Sequence, residues 1–268
     1  MANNNPSRTW VPFRAWVMAL AAAAALVALL AALLAAHDTP ARAASDRLPD
    51  LRMDQARNLQ IQNTGGRKLL RFDSIVVNVG AGPFEVRGAR AAGASTMETV
   101  DQRIFDDTSG SRDVSTRATM VFGGDGHNHW HVTNLQDFEL ERLDNGVKVS
   151  PPTAKLGFCF YDNVRYGSDK PEVYTQPSGA CAGGSSSERT MMGLSPGWGD
   201  LYARTLPDQY IDVTGLPNGR YQLRLTADMD DWFLESNNAN NFSWINIQIN
   251  TNAVSILRYG PAAPPVQG

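Results

Sequence analysis

The sequence predicts an all-β fold: an antiparallel, sandwich-like single domain with long irregular loops around its site, preceded by an N-terminal apolar helix. Three observations lead there. After residue 43, runs rich in β-branched and aromatic residues recur between Gly, Pro, Asn and Asp turns. No stretch in that part repeats apolar residues at helical spacing. Strands without interleaved helices bury their apolar faces as sandwiches or barrels. A chain of 268 residues, 43% hydrophobic and 19% charged, suits such a domain.

The elements follow in chain order. Arg8 and Arg14 precede an uncharged apolar run from Ala15 to Ala36, and "ARA" at Ala41 to Ala43 has the small-x-small form of a signal-peptidase site. Residues 1–43 read as an export signal, residues 44–258 as the domain and residues 259–268 as a disordered tail. The rival reading is a membrane anchor, since the run can also span a bilayer. Under either, the domain works outside the cytoplasm, and its only tie to a membrane is an uncleaved N-terminal segment. Removing the signal takes the formal charge from −3 to −5, which argues against nucleic acid as a partner.

"KLLRFDSIVVNVG" (Lys68 to Gly80), "HVTNLQDFELERL", "AKLGFCFYD", "QYIDVTGL", "RYQLRLTAD" and "FSWINIQIN" read as strands. Asn218-Gly219 between two of them is a turn signal of the hairpin kind. Asn163 to Gly199 is long and irregular, as functional loops often are. Cys159 and Cys181 are the only cysteines; outside the cytoplasm they are expected to pair and tie down the first half of that loop. Such a closed loop adds about 3 kcal/mol in the chain-entropy model.

The chain owns four histidines, and His37 leaves with the signal. The other three, His127, His129 and His131, fall in "GHNHWH". On a strand, residues i, i+2 and i+4 share a face, so three imidazoles can converge on a metal where the strand bends. Gly124 and Gly126 permit such a bend. Imidazole suits Zn, Cu, Ni and Fe, and the Irving–Williams order favours copper on affinity. The histidines alone leave the metal open.

Here the sequence resembles the catalytic domain of the lysyl oxidase family. "HNHWH" is similar to the family's copper motif, "AKLGFC" to the segment of its cofactor lysine, and "GLSPGWGDLY" to that of its cofactor tyrosine; "YIDVTGLPNGRYQL" and "LESNNANN" continue the match. The resemblance implies copper on His127, His129 and His131, and a lysine tyrosylquinone cofactor made from Lys155 and Tyr202. It implies oxidation of primary amines, either small amines or lysines of a protein partner, by O₂ to aldehyde, ammonia and hydrogen peroxide. The proton removed from the substrate needs a base; Asp200, on a matched position, and Asp212 are the candidates. The lysine that adds to the oxidised ring must be uncharged to do so.

Trp198 and Gly199 stand where the animal enzymes have Cys and Tyr, and this chain can form only one disulfide. The resemblance further implies a calcium site built from Asp50, the carbonyl of Leu51, and Glu235, Asn237, Asn240 and Asn241, a set of hard oxygens. An Asn-rich turn is the plain alternative. Two functional alternatives also stand: a zinc or iron β-barrel enzyme using the same histidines, and a non-enzymatic extracellular copper-binding module. The first has no use for Lys155 or Tyr202 and finds no fourth histidine beyond residue 43.

Overall fold

A computed structural model describes residues 44–123, 128–149, 157–176 and 178–262. The expected export segment, His127, Lys155 and residues 263–268 of the tail lie outside the described residues. In chain order the first strands are β1 (Asp46–Arg47), β2 (Leu51–Met53), β3 (Arg57–Thr64), β4 (Arg67–Asn78), β5 (Phe84–Ala89), β6 (Thr96–Met97) and β7 (Thr99–Asp106). Then come β8 (Ser111–Ser115), β9 (Met120–Phe122), β10 (Trp130–Thr133), β11 (Gln136–Arg142), β12 (Gly157–Phe158) and β13 (Val164–Arg165). The last are β14 (Arg189–Leu194), β15 (Trp198–Tyr202), β16 (Tyr210–Asp212), β17 (Gly219–Ala227), β18 (Phe242–Ile249) and β19 (Val254–Tyr259). The fold is all-β, and among the described residues the one helical element is a 3₁₀ turn at Asn238–Asn240. No helix there is long and apolar enough to cross a membrane.

The strands form four antiparallel sheets. One runs β1-β7-β5-β14 with β8 on β7, a second β12-β10-β9-β6, a third β11-β17-β18-β19, and the fourth β13-β15-β4-β16 with β2 and β3 also on β4. Strand β4 explains the last arrangement. Its apolar run is buried almost throughout, as expected of a strand covered on both faces. Its first half pairs with β3 and β16, its second with β2 and β15. By contrast β17 and β18 alternate buried and part-exposed positions, with one face on the core.

A shared core joins these sheets, with Trp130, Tyr221, Phe72, Phe84, Phe158 and Phe160 its largest fully buried side chains. Phe84 stacks on Phe160 and meets Phe233 edge-on, each at 5.0 Å. Burial of one such ring contributes roughly 1.5–3 kcal/mol.

The structure departs from the sequence reading in four places. "HVTNLQDFELERL" is two strands, because Asn134 takes φ 58° and turns the chain from the sheet of β10 into that of β11. Asn218-Gly219 closes no hairpin: β16 and β17 belong to different sheets, and the left-handed residue is Gly215, φ 77°. The stretch expected to be irregular contains β14, paired along its length with β5. Finally, the chain stays on the sheet past residue 258. Gly260 N–H donates to the Trp244 carbonyl at 2.9 Å, and Gln55 Nε2 donates to the Gly260 carbonyl at 2.6 Å.

Candidate active site

Of the two described histidines, His131 lies within a strand, β10. His129 sits in the bend that leads into β10, its carbonyl accepting from Gly123 N–H at 2.9 Å. The bend replaces the straight i, i+2 spacing and brings the His129 and His131 rings to 4.5 Å, 60° apart in plane. Two imidazoles that each place a nitrogen about 2 Å from one ion have ring centres a few ångströms apart, so this pair fits a shared metal. His131 is buried. Gly157 packs against it so closely that a Cβ there would lie 2.7 Å from the His131 Cβ. That glycine, two residues after Lys155, escaped the sequence reading.

A cleft of about 300 Å³ opens beside these rings, lined by His129, Cys159, Tyr161, Asn163, Gln176, Asp200, Leu201, Tyr202 and Leu206. Strand β15 supplies Asp200 and Tyr202 on one face, both buried, with Leu201 turned outward between them. The Tyr202 hydroxyl donates to the Cys159 carbonyl at 2.6 Å, and its ring meets Phe158 edge-on at 5.0 Å. Asp200 Oδ1 accepts from Asn163 Nδ2 at 2.5 Å. The structure therefore brings together His129, Asp200 and Tyr202, three residues singled out in the sequence.

The loops around the cleft are tied down by few but specific contacts. Cys159 and Cys181 form the expected disulfide, with Cα atoms 5.8 Å apart. Asp162, buried, accepts from Val173 N–H, Tyr174 N–H, Ser195 N–H and the Ser195 hydroxyl, at 2.7–3.1 Å. Trp198 holds the loop through its indole N–H, which donates to the Lys170 carbonyl at 3.0 Å, while Arg165 stacks on its ring at 5.1 Å. Beside it Gly199 is required: a Cβ there would lie 2.8 Å from the Val76 carbonyl oxygen, leaving no room for a tyrosine.

Asp212 is not brought to this cleft. It lies on β16, where Thr214 donates to it and Arg67 Nε pairs with it at 2.8 Å. These contacts hold its carboxyl below the usual range, so it is occupied elsewhere and a poor base. Tyr161, Asn163, Gln176 and Leu206 line the cleft without any signal in the sequence pattern.

The other set of oxygens does assemble. Asn240 Nδ2 donates to Asp50 Oδ2 at 3.3 Å, Asn241 Nδ2 to Glu235 Oε1 at 2.7 Å, and Leu51 N–H to Glu235 Oε2. The ladder alternation puts Asp50 and Arg52 in hydrogen bonds with β4, so Leu51 turns its N–H and carbonyl to the opposite side, toward Glu235. Asp50 Oδ1, Asn240 Oδ1 and Asn241 Oδ1 are buried with no hydrogen-bond donor on them among the described residues. Burial raises the proton affinity of Asp50 and pushes Glu235 up to about 8. Part-buried carboxylates and orphaned oxygens fit a hard cation. Asn237 stands apart: it is exposed, and its side chain caps the 3₁₀ turn by accepting from Ala239 N–H.

Among the described residues no group of three or more His, Cys, Asp or Glu could hold a metal ion. The histidine set contributes two described members, and the oxygen cluster two carboxylates completed by amides. A comparison with curated proteins finds no match. The family model described as lysyl oxidase matches residues 109–258, more than half of the chain, spanning the histidines, Lys155, the disulfide, Tyr202 and Glu235. The chain belongs to the lysyl oxidase family.

Proposed function

We propose that the chain is an extracellular copper amine oxidase, with the domain that begins at residue 44 its catalytic part and residues 1–43 the export segment. The observation that carries this reading is the cleft in which His129, Asp200 and Tyr202 meet the carbonyl of Cys159. Lys155 is four residues before Cys159 and two before Gly157, which packs on His131. The disulfide accords with work outside the cytoplasm.

Copper on His127, His129 and His131, with a quinone built from Lys155 and Tyr202, would supply an electrophile for amines and a route for electrons to O₂. The chain's own groups do the rest. The Cys159 carbonyl orients the Tyr202 ring, and the packing of Phe158 keeps it in the cleft. Tyr161 and Leu206 offer apolar surface to the carbon chain of an amine. Asp200 receives the proton from the carbon that bears the nitrogen. One amine, one O₂ and one water then yield aldehyde, ammonia and hydrogen peroxide.

Peptide mapping of aerated, copper-saturated protein tests this. Lys155 and Tyr202 should emerge in one cross-linked peptide that stains by redox cycling. Separate, unmodified peptides would leave the non-enzymatic copper-binding module as the better account.

The oxygen cluster of Asp50, Leu51, Glu235, Asn240 and Asn241 is proposed as a calcium site. A ligand that binds only the folded chain stabilises it, by about 2.7 kcal/mol at a hundred times its dissociation constant. Calcium should raise the melting temperature by several degrees, and Glu235→Ala should abolish the response. A melting temperature indifferent to calcium and chelator would return the segment to a simple Asn-rich turn.

A further inference from the structure

We propose that Asn163 is a positioning residue that fixes the carboxylate of Asp200 for proton abstraction; this rests on the reading of Asp200 as the base. The main chain of Asp200 is held already, since β15 pairs with β4 opposite Val76. That ladder does not set the side-chain torsions of Asp200, which decide where its oxygens point. Asn163 does. Its N–H donates to the Gly199 carbonyl at 3.1 Å, its Oδ1 accepts from Leu201 N–H at 2.8 Å, and its Nδ2 donates to Asp200 Oδ1 at 2.5 Å. One residue thus grips three consecutive positions of β15.

The chemistry of the two partners also fixes which way the amide faces. A flipped amide would set N–H against the Leu201 N–H and oxygen against a carboxylate, losing both bonds. Asn163 is itself an exposed residue at the cleft, where an amide would ordinarily bond to water and keep its rotamers. It is immobilised instead, and its neighbour Asp162 is pinned by four hydrogen bonds. In the step concerned, the substrate C–H bond breaks, the proton goes to Asp200, and the electron pair passes through the cofactor to O₂. A carboxylate that lacks this contact would spend less time aligned with that bond. Geometric errors of this kind lower the rate without weakening binding.

The test uses copper-loaded full-length protein with n-butylamine and its 1,1-dideuterated form. Asn163→Asp is isosteric: it keeps an acceptor for Leu201 N–H and deletes the donor to Asp200. We expect phenylhydrazine-titratable quinone and KM within about twofold of wild type, kcat per quinone lower by about tenfold or more, and a larger deuterium isotope effect on kcat. Asn163→Ala, which adds no charge, should give the same split. If kcat per quinone and the isotope effect stay at wild-type values in both, or if activity falls only in proportion to quinone, the positioning role is overturned. Asp200→Ala separates the layers. Undiminished kcat there removes Asp200 as the base, whereas a large loss there beside unchanged Asn163 variants removes only the role of Asn163. A wild-type chain that forms no quinone overturns the oxidase reading and this inference with it.

Discussion

Replacing His129 by alanine is expected to remove stoichiometric copper, the quinone and all amine oxidase activity at once. His129 is the better probe of the two described histidines because of where each sits. His131 is buried in β10 under Gly157, so its loss opens a cavity as well as deleting a nitrogen. His129 lies half-buried in the bend before β10, its ring facing the cleft and 4.5 Å from that of His131. Its removal should cost the metal-free fold less than loss of the buried His131. Two imidazoles would remain where the family motif has three, and copper should fall from about one per chain to background in metal analysis after dialysis. The metal-free melting temperature should stay within a few degrees of wild type. Full copper loading of a protein lacking His127, His129 and His131 together would place the metal elsewhere and end the proposed site.

Legibility in the sequence followed the range of the interactions. Strands β4, β17 and β18 could be read because burial on one or both faces writes itself into consecutive residues. Strand β14 could not: "RTMMGL" has no clean alternation, and its edge is defined by β5, a hundred residues upstream. The break at Asn134 was invisible because either a straight or a broken strand satisfies the same alternation, and only the choice of sheet demands φ 58° there. Motif resemblance singled out His129, Asp200 and Tyr202 but also Asp212, whose carboxyl is engaged by Thr214 and by Arg67, 145 residues away. Asn163 had no local signature at all. Its function lies in bonds to positions 37 and 38 residues along the chain, and a single Asn in a loop reads the same whether it faces water or a carboxylate. The oxygen cluster joins Leu51 to Glu235 across 184 residues, and only a resemblance could pair them in advance.

Tyr202→Phe is expected to leave copper bound and the fold intact while eliminating the cofactor and every trace of peroxide release from amines. The substitution deletes one oxygen. The ring keeps its edge-on contact with Phe158 and its place beneath the cleft. The loss includes the hydrogen bond to the Cys159 carbonyl; leaving that buried acceptor without its donor costs about 1–3 kcal/mol, too little to unfold a domain of this size. Without the hydroxyl there is no phenol to oxidise to a quinone, so Lys155 has nothing to attack, and its peptide should be recovered unmodified. Lys155→Ala should give the complementary result, with copper retained and no cross-link. Together with His129→Ala these variants separate metal binding from cofactor formation: one loses copper and cofactor, the other two lose the cofactor alone. The decisive measurements are copper content, phenylhydrazine titration and peptide mass on the same preparations. A Tyr202→Phe protein that still reacts stoichiometrically with phenylhydrazine would mean that another residue carries the electrophile, and the role proposed for the cleft would fall with it.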